Sequence, residues 1–300
     1  MRSFQLLGHR GARGLFSENT VAGFAAAFAL GVDAVELDVA MTADGVPVVS
    51  HEPALRPEIT RGPDGHWLET PGPLLHALRF AELRRFDVGG IRPGSSYAAE
   101  FPVQAPQDGA HIPSFEEAVS IAPGRFLAEL KTFPDRPEIT APAVALAEAT
   151  VAVSDRIGTG SRLAIESFDW RGLRHLRRTR PDIALAWLTR AETVAASRLW
   201  WDGPSPEDFA GSIPRAVAAE GGPTWAPDYA DLTRELIEEA HALGLAVIAW
   251  TVNRPADIAR LIDWQIDGLI TDRPDLAQAV MRGKGLALPP PLAVTPRPAR

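Results

Sequence analysis

The chain contains no cysteine. Disulfides, thiolate-held zinc or iron–sulfur centres and a cysteine nucleophile are therefore excluded. Long apolar runs are missing too. The longest helix-like one, Val21 to Val32, is alanine-rich and too short to span a bilayer. No charged leader precedes the first apolar stretch, which starts near residue 4, so a soluble, cytoplasmic protein without stable membrane insertion is expected. Positive charge is in deficit: 30 Lys and Arg stand against 38 Asp and Glu, a formal net charge of −8. That balance argues against a nucleic-acid partner and against docking on anionic membranes. It leaves room for an anionic small molecule, because a local basic cluster overrides the global sign.

What is present is alternation. Strand-like runs at 4–9, 33–39, 46–51, 125–130, 162–168, 183–188, 223–227, 245–252 and 267–272 are mostly followed by helical patterns, which implies a parallel sheet. Only six residues, Ala40 to Gly45, separate the second run from the third. A parallel crossover needs about a dozen residues or more, so this pair is expected to form a hairpin turning at Asp44-Gly45. Removing the hairpin's return strand leaves eight strands that can all run parallel. The expected fold class is α/β, a (β/α)8 TIM barrel built from residues 1–51 and 113–282. Residues 52–112, rich in Pro and Gly, break the alternation and are expected to form a small inserted subdomain at the barrel mouth. The tail, 283–300, has five prolines in its last twelve residues and no apolar period, and disorder is expected there.

Barrel active sites lie at the carboxyl ends of the strands. There the sequence places His9-Arg10, Glu36 with Asp38, His51-Glu52, Glu129 with Lys131, Ser167-Phe168, Trp250 to Asn253, and Thr271-Asp272. Glu36 and Asp38 are two apart, as are Glu129 and Lys131, so each pair shares one face of its strand. Charges on the helix-facing side would be ruinously costly, and charges inside are costly unless they serve an ion or ligand. Three converging carboxylates suit a hard divalent cation such as Mg2+ or Ca2+. With the hairpin tip at Asp44-Gly45, His51 lies opposite Leu37 and Asp38, beside that cation. Acids for a metal, Arg10 and Lys131 for a phosphate, and two histidines to accept and donate protons make a set suited to metal-assisted phosphodiester cleavage.

At this point the chain resembles the glycerophosphodiester phosphodiesterase family. The resemblance rests on HRGARGLFSENT near the start, ELDVAMTADGVPVVSHE, ELK at 129–131, SF at 167–168, WTVN at 250–253 and DGLITDRP at 267–274, in order over roughly residues 5 to 280. It implies a (β/α)8 barrel with an insertion after the second strand. It also implies one divalent cation, Mg2+ or Ca2+, on Glu36, Asp38 and Glu129, with His9 and His51 as general acid and base. Arg10 and Lys131 would hold the phosphate, and Phe168 and Trp250 would line the pocket for the glycerol or the leaving alcohol. The implied substrate is a small glycerophosphodiester, cleaved to glycerol 3-phosphate and an alcohol, by direct attack of water or through a cyclic phosphate. Two positions depart from the family pattern. Ser17 replaces the usual proline, and Glu52 replaces the usual aspartate after the second histidine.

Other readings stand beside this one. Glu36, Asp38, Arg10 and Lys131 could form a purely structural ion network. Asn19 reads first as a helix N-cap, and Asp272 to Pro274 as the shape of the final turn. A barrel phosphodiesterase acting on lysolipid or sphingolipid diesters would expose an apolar rim around the insertion. A non-catalytic barrel binding phosphorylated ligands would lack one of the histidines or acids.

Overall fold

Nine strands form one sheet in the computed structural model, which describes residues 4–121 and 123–293. They are β1 (Gln5–Gly8), β2 (Ala34–Met41), β3 (Pro47–Val49), β4 (Phe126–Leu130) and β5 (Leu163–Ser167). They continue as β6 (Ala184–Thr189), β7 (Thr224–Pro227), β8 (Ala246–Ala249) and β9 (Gly268–Thr271). The order runs β1-β9-β8-β7-β6-β5-β4-β2-β3, and parallel pairing of Leu7 with Ala34 and Gly8 with Val35 closes the ring. Eight strands are thus parallel in a closed (β/α)8 barrel. β3 pairs antiparallel with β2, Val39 against Val49 and Met41 against Pro47, as a hairpin requires. Gly45 sits at φ 78 in its turn, a conformation that favours glycine.

Period-two alternation divides the strand residues between two cores. Leu7, Leu127, Leu188, Ile248 and Ile270 point into the barrel among several alanines. Their neighbours Leu6, Val35, Leu37, Phe126 and Trp187 face the helices in a much larger cluster. On β2 this leaves Glu36 and Asp38 on the inner face, and on β4 it leaves Glu129 there, in register opposite Asp38. The barrel's own geometry brings the three acids together.

Residues 52–112 gather around a small core of Leu55, Leu75, Leu83, Val88 and Ile112, shared with Ala40 and Val48 of the hairpin. The helix Val21–Leu30 is capped by the Thr20 hydroxyl, which accepts the Gly23 N–H at 3.0 Å. The cap is therefore Thr20, and Asn19, at φ 53, turns elsewhere. The expected disorder of the tail does not hold for its first part. Leu286, Leu288 and Leu292 pack on the helix-layer core, and the Leu292 N–H donates to the Phe28 carbonyl at 2.9 Å. Leucines spaced between prolines give this segment apolar contacts that proline content alone does not reveal. Residues 294–300 lie outside the described residues. Among the described residues, no helix is long and apolar enough to cross a membrane.

Candidate active site

One ligand oxygen from each of Glu36, Asp38 and Glu129 lies within 4.8 Å of the others. Glu36 Oε1 and Asp38 Oδ1 are buried and have no hydrogen-bond partner. Burial and the neighbouring carboxylates of Asp38, Glu166 and Glu129 push the Glu36 carboxyl well above the usual carboxylate range. Burial raises Glu129 too, against the pull of Lys131. Asp38 is held low in spite of its burial, because Arg10, Lys131 and a hydrogen bond from Asn19 favour its charged form. Buried carboxylate oxygens without a hydrogen bond are costly unless a cation meets them, and the all-oxygen donor set fits a hard divalent ion.

The turn after β1 explains why His9 and Arg10 stand between glycines. A Cβ on Gly8 would come within 1.9 Å of the Gly11 carbonyl oxygen, and Gly11 sits at φ 96. This tight reversal lets the Arg10 N–H donate to Glu36 Oε2 at 2.9 Å. The Arg10 side chain is buried, with Nη1 3.1 Å from Glu18 Oε1 and Nε 3.2 Å from Asp38 Oδ2. Asn19 donates from Nδ2 to Asp38 Oδ2 at 2.9 Å. Tyr97, from the insertion, donates its hydroxyl to Glu18 Oε2 at 2.5 Å. The insertion is thereby tied to the acid cluster through Glu18 and Arg10. Lys131 Nζ donates to Glu129 Oε1 at 2.7 Å and lies 3.7 Å from Asp38 Oδ1.

His9 Nδ1 is 2.6 Å from Asp272 Oδ1, and its Nε2 is 3.9 Å from Glu36 Oε2. His51 Nδ1 is 2.9 Å from Glu52 Oε1. The hairpin register carries His51 to this point, because the preceding Ser50 N–H donates to the Asp38 carbonyl at 3.0 Å. Burial lowers both imidazoles. For His9 the adjacent Asp272 opposes the fall. For His51 the charges of Arg10 and Lys131 add to it and take it well below the ordinary value.

A cavity of about 370 Å³ joins these parts. Of the residues to which the resemblance gives a role, all but Asp38 line it: His9, Arg10, Glu36, His51, Glu129, Lys131, Phe168 and Trp250. Asp38 is fully buried beside them, opposite Glu129 in the sheet. Asp272 does more than shape the final turn, since it holds His9, Arg13 and Asn253. Glu166 went unread in the sequence. It sits on β5 opposite Glu129, lines the cavity, and has a buried, unpartnered Oε2. Its two-residue spacing from Phe168 was the signal, the same inward-facing period that marks Glu36 and Asp38. The loop after β4 and the short helix Ser197–Trp200 also reach the cavity, through Phe133, Arg136 and Trp200.

The fold and site together define a (β/α)8-barrel enzyme whose polar centre lies at the carboxyl ends of its strands. Sequence likeness narrows that class. The pattern of the Glycerophosphoryl diester phosphodiesterase family matches residues 9–276, and the chain belongs to this family. A glycerophosphodiester phosphodiesterase of Bacillus subtilis is 28% identical over 92% of this chain and 85% of its own length. A solved structure of a family protein from Silicibacter pomeroyi superposes with a TM-score of 0.87 at 38% identity, covering 95% of each chain. An Oleispira antarctica phosphodiesterase, solved with its product sn-glycerol-3-phosphate, shares the fold at a TM-score of 0.69 and 22% identity, covering 93% of this chain and 96% of that one.

Proposed function

We propose that this protein hydrolyses small glycerophosphodiesters to glycerol 3-phosphate and an alcohol. One divalent cation, Mg2+ or Ca2+, would be held by Glu36, Asp38 and Glu129. The observation that carries this reading is the clustering of carboxylate oxygens from Glu36, Asp38 and Glu129, with Glu36 Oε1 and Asp38 Oδ1 buried and without a hydrogen bond, beside two imidazoles at one cavity. When bound, such a cation supplies positive charge to the phosphate and polarises its oxygens. Arg10 and Lys131 add charge from the protein side, each already aligned by the acids it touches. His51, kept neutral by burial and two nearby cations, takes a proton from the water that hydrolysis consumes. His9 delivers a proton from Nε2 to the leaving oxygen, with Asp272 on Nδ1 orienting the ring and opposing part of the fall that burial imposes on it.

A small diester is favoured over a lysolipid by the surface. Of the exposed large apolar side chains among the described residues, Val103, Val144, Leu199 and Leu243, only Val103 belongs to the insertion. The test is release of glycerol 3-phosphate from several glycerophosphodiesters, read by a coupled assay before and after chelation. Activity should vanish with chelator and return with Mg2+ or Ca2+. Full activity in chelator overturns the metal assignment, and no release from any diester overturns the substrate class.

A further inference from the structure

One part of the cavity wall is aromatic, and its rings come from loops of the barrel and not from the insertion. Trp250 meets Phe168 edge-on at 5.3 Å, and Phe168 meets Trp200 at 6.4 Å. Trp200 in turn meets Phe133 at 6.4 Å, so the four rings form one continuous arc. A bare arc of this kind would attract a quaternary ammonium group. Here two ring faces are already covered by cations. The Arg190 guanidinium lies 5.3 Å over Phe168, and the Arg136 guanidinium lies 5.2 Å over Phe133. Both arginines line the cavity. Their carboxylate partners are weak ones: Glu192 is 3.4 Å from Arg190 Nε, and Asp135 is 3.7 Å from Arg136 Nε. The arginine side chains are 46% and 56% exposed, and Asp228 also lies within electrostatic reach of Arg190, so their charge acts on the cavity at short range and weakens with salt.

We propose that Phe133, Trp200, Arg136 and Arg190 form the subsite for the headgroup alcohol, and that the two arginines make it select headgroups bearing an anionic group over cationic ones. The inference rests on the phosphodiesterase reading above and extends it to the substrate class. An anionic headgroup, such as one carrying a second phosphate, meets two guanidinium groups. A choline headgroup meets the same two as like charges on rings it would otherwise occupy. Specificity of this kind comes from repulsion as much as attraction.

The test uses the full chain with its divalent cation and three diesters that share the glycerol phosphate half: glycerophosphocholine, glycerophosphoglycerol and glycerophosphoinositol 4-phosphate. We expect kcat/KM to rise from the cationic through the neutral to the anionic diester, spanning about tenfold or more at low salt and narrowing as salt is added. In the double variant Arg136→Glu with Arg190→Glu, the ratio of anionic to cationic kcat/KM should invert. Changes in overall rate cancel in that ratio, and the wild-type ratio with its salt dependence stands on its own if the variant fails to fold. Hydrolysis of the neutral diester with a wild-type ratio at or below one overturns the subsite while leaving the phosphodiesterase reading intact. Hydrolysis of none of the three overturns both.

Discussion

His9 and His51 face the same cavity from two different kinds of support. His9 follows β1 in the closed barrel, and its side chain is 12% exposed. Its partner Asp272 is itself held by Arg13 Nε at 2.7 Å and Asn253 Nδ2 at 2.6 Å. His9 first, and then Arg13, keep the Asp272 carboxyl far below the usual range in spite of its burial. His51 follows β3, the strand added outside the parallel ring. Its partner Glu52 is the next residue in the chain and is 39% exposed. One imidazole is fixed by a buried network drawn from β1, β9 and the segment after β8. The other is fixed by a hairpin and one hydrogen bond to a solvent-facing carboxylate, and a single such bond contributes about 0.5–1.5 kcal/mol. The contrast indicates that the barrel pre-positions one side of the reaction, while the other side depends on how firmly the hairpin is docked. That docking comes from the Val49 N–H donating to the Pro113 carbonyl at 2.9 Å and from Val48 in the insertion's core.

The bluntest way to break the comparison is to remove each ring. His9→Ala and His51→Ala should each lower kcat by about two to four orders of magnitude, the range for general acid or base groups. Steady-state turnover on one glycerophosphodiester reads both. A His51→Ala enzyme near wild-type rate would leave a single working histidine and end the comparison.

Removing the supports is a finer cut. Asp272→Asn should lower kcat/KM by about 10- to 100-fold, the scale found when a group orienting a functional imidazole is lost. Glu52→Gln should cost less than about tenfold, since Glu52 is 39% exposed and glutamine can still accept a hydrogen bond from His51 Nδ1. Equal losses would mean that both histidines are oriented in the same way. Circular dichroism on Asp272→Asn separates misorientation from unfolding, because Asp272 also anchors Arg13 and Asn253.

Much of this arrangement is legible in the chain, for a reason that also sets the limit. The spacing of Glu36 with Asp38, and of Glu129 with Lys131, encodes the inward face of a strand, and barrel closure does the rest. The six residues from Ala40 to Gly45 encode a hairpin, and the hairpin register carries His51 to Asp38. What the chain conceals is pairing across long separations. Asp272 meets His9 across 263 positions, because β9 and β1 are neighbours only after closure. Asn19 has the right chemistry for a cap, yet tertiary contact turns its amide to Asp38 and leaves the cap to Thr20. The headgroup wall is hidden for a related reason. Phe133, Trp200 and Arg190 come from the connections after β4 and β6, outside the strand period that marks the inward-facing residues.

The smallest expected effect concerns pH and sharpens the contrast between the two rings. Burial lowers both imidazoles, so the folded protein binds fewer protons at these sites than the unfolded chain does. Stability from that source is complete above the unfolded value of about 6.5 and is lost as pH falls below it. The loss grows with the size of the depression. It is greater for His51, where Arg10 and Lys131 add to burial, than for His9, where Asp272 opposes burial. Melting temperatures of the metal-free wild type, His9→Gln and His51→Gln should therefore be compared between about pH 7.5 and pH 5.5. The drop on acidification should be greatest in wild type, smaller in His9→Gln and smallest in His51→Gln, by roughly 2–4 °C for each kcal/mol removed. The raised carboxyls of Glu36, Glu129 and Glu166 work in the opposite direction, but they are common to all three proteins and do not set the order. If His9→Gln relieves more of the drop than His51→Gln, then Asp272 does not favour the charged ring, and the assignment of His9 as proton donor loses its basis.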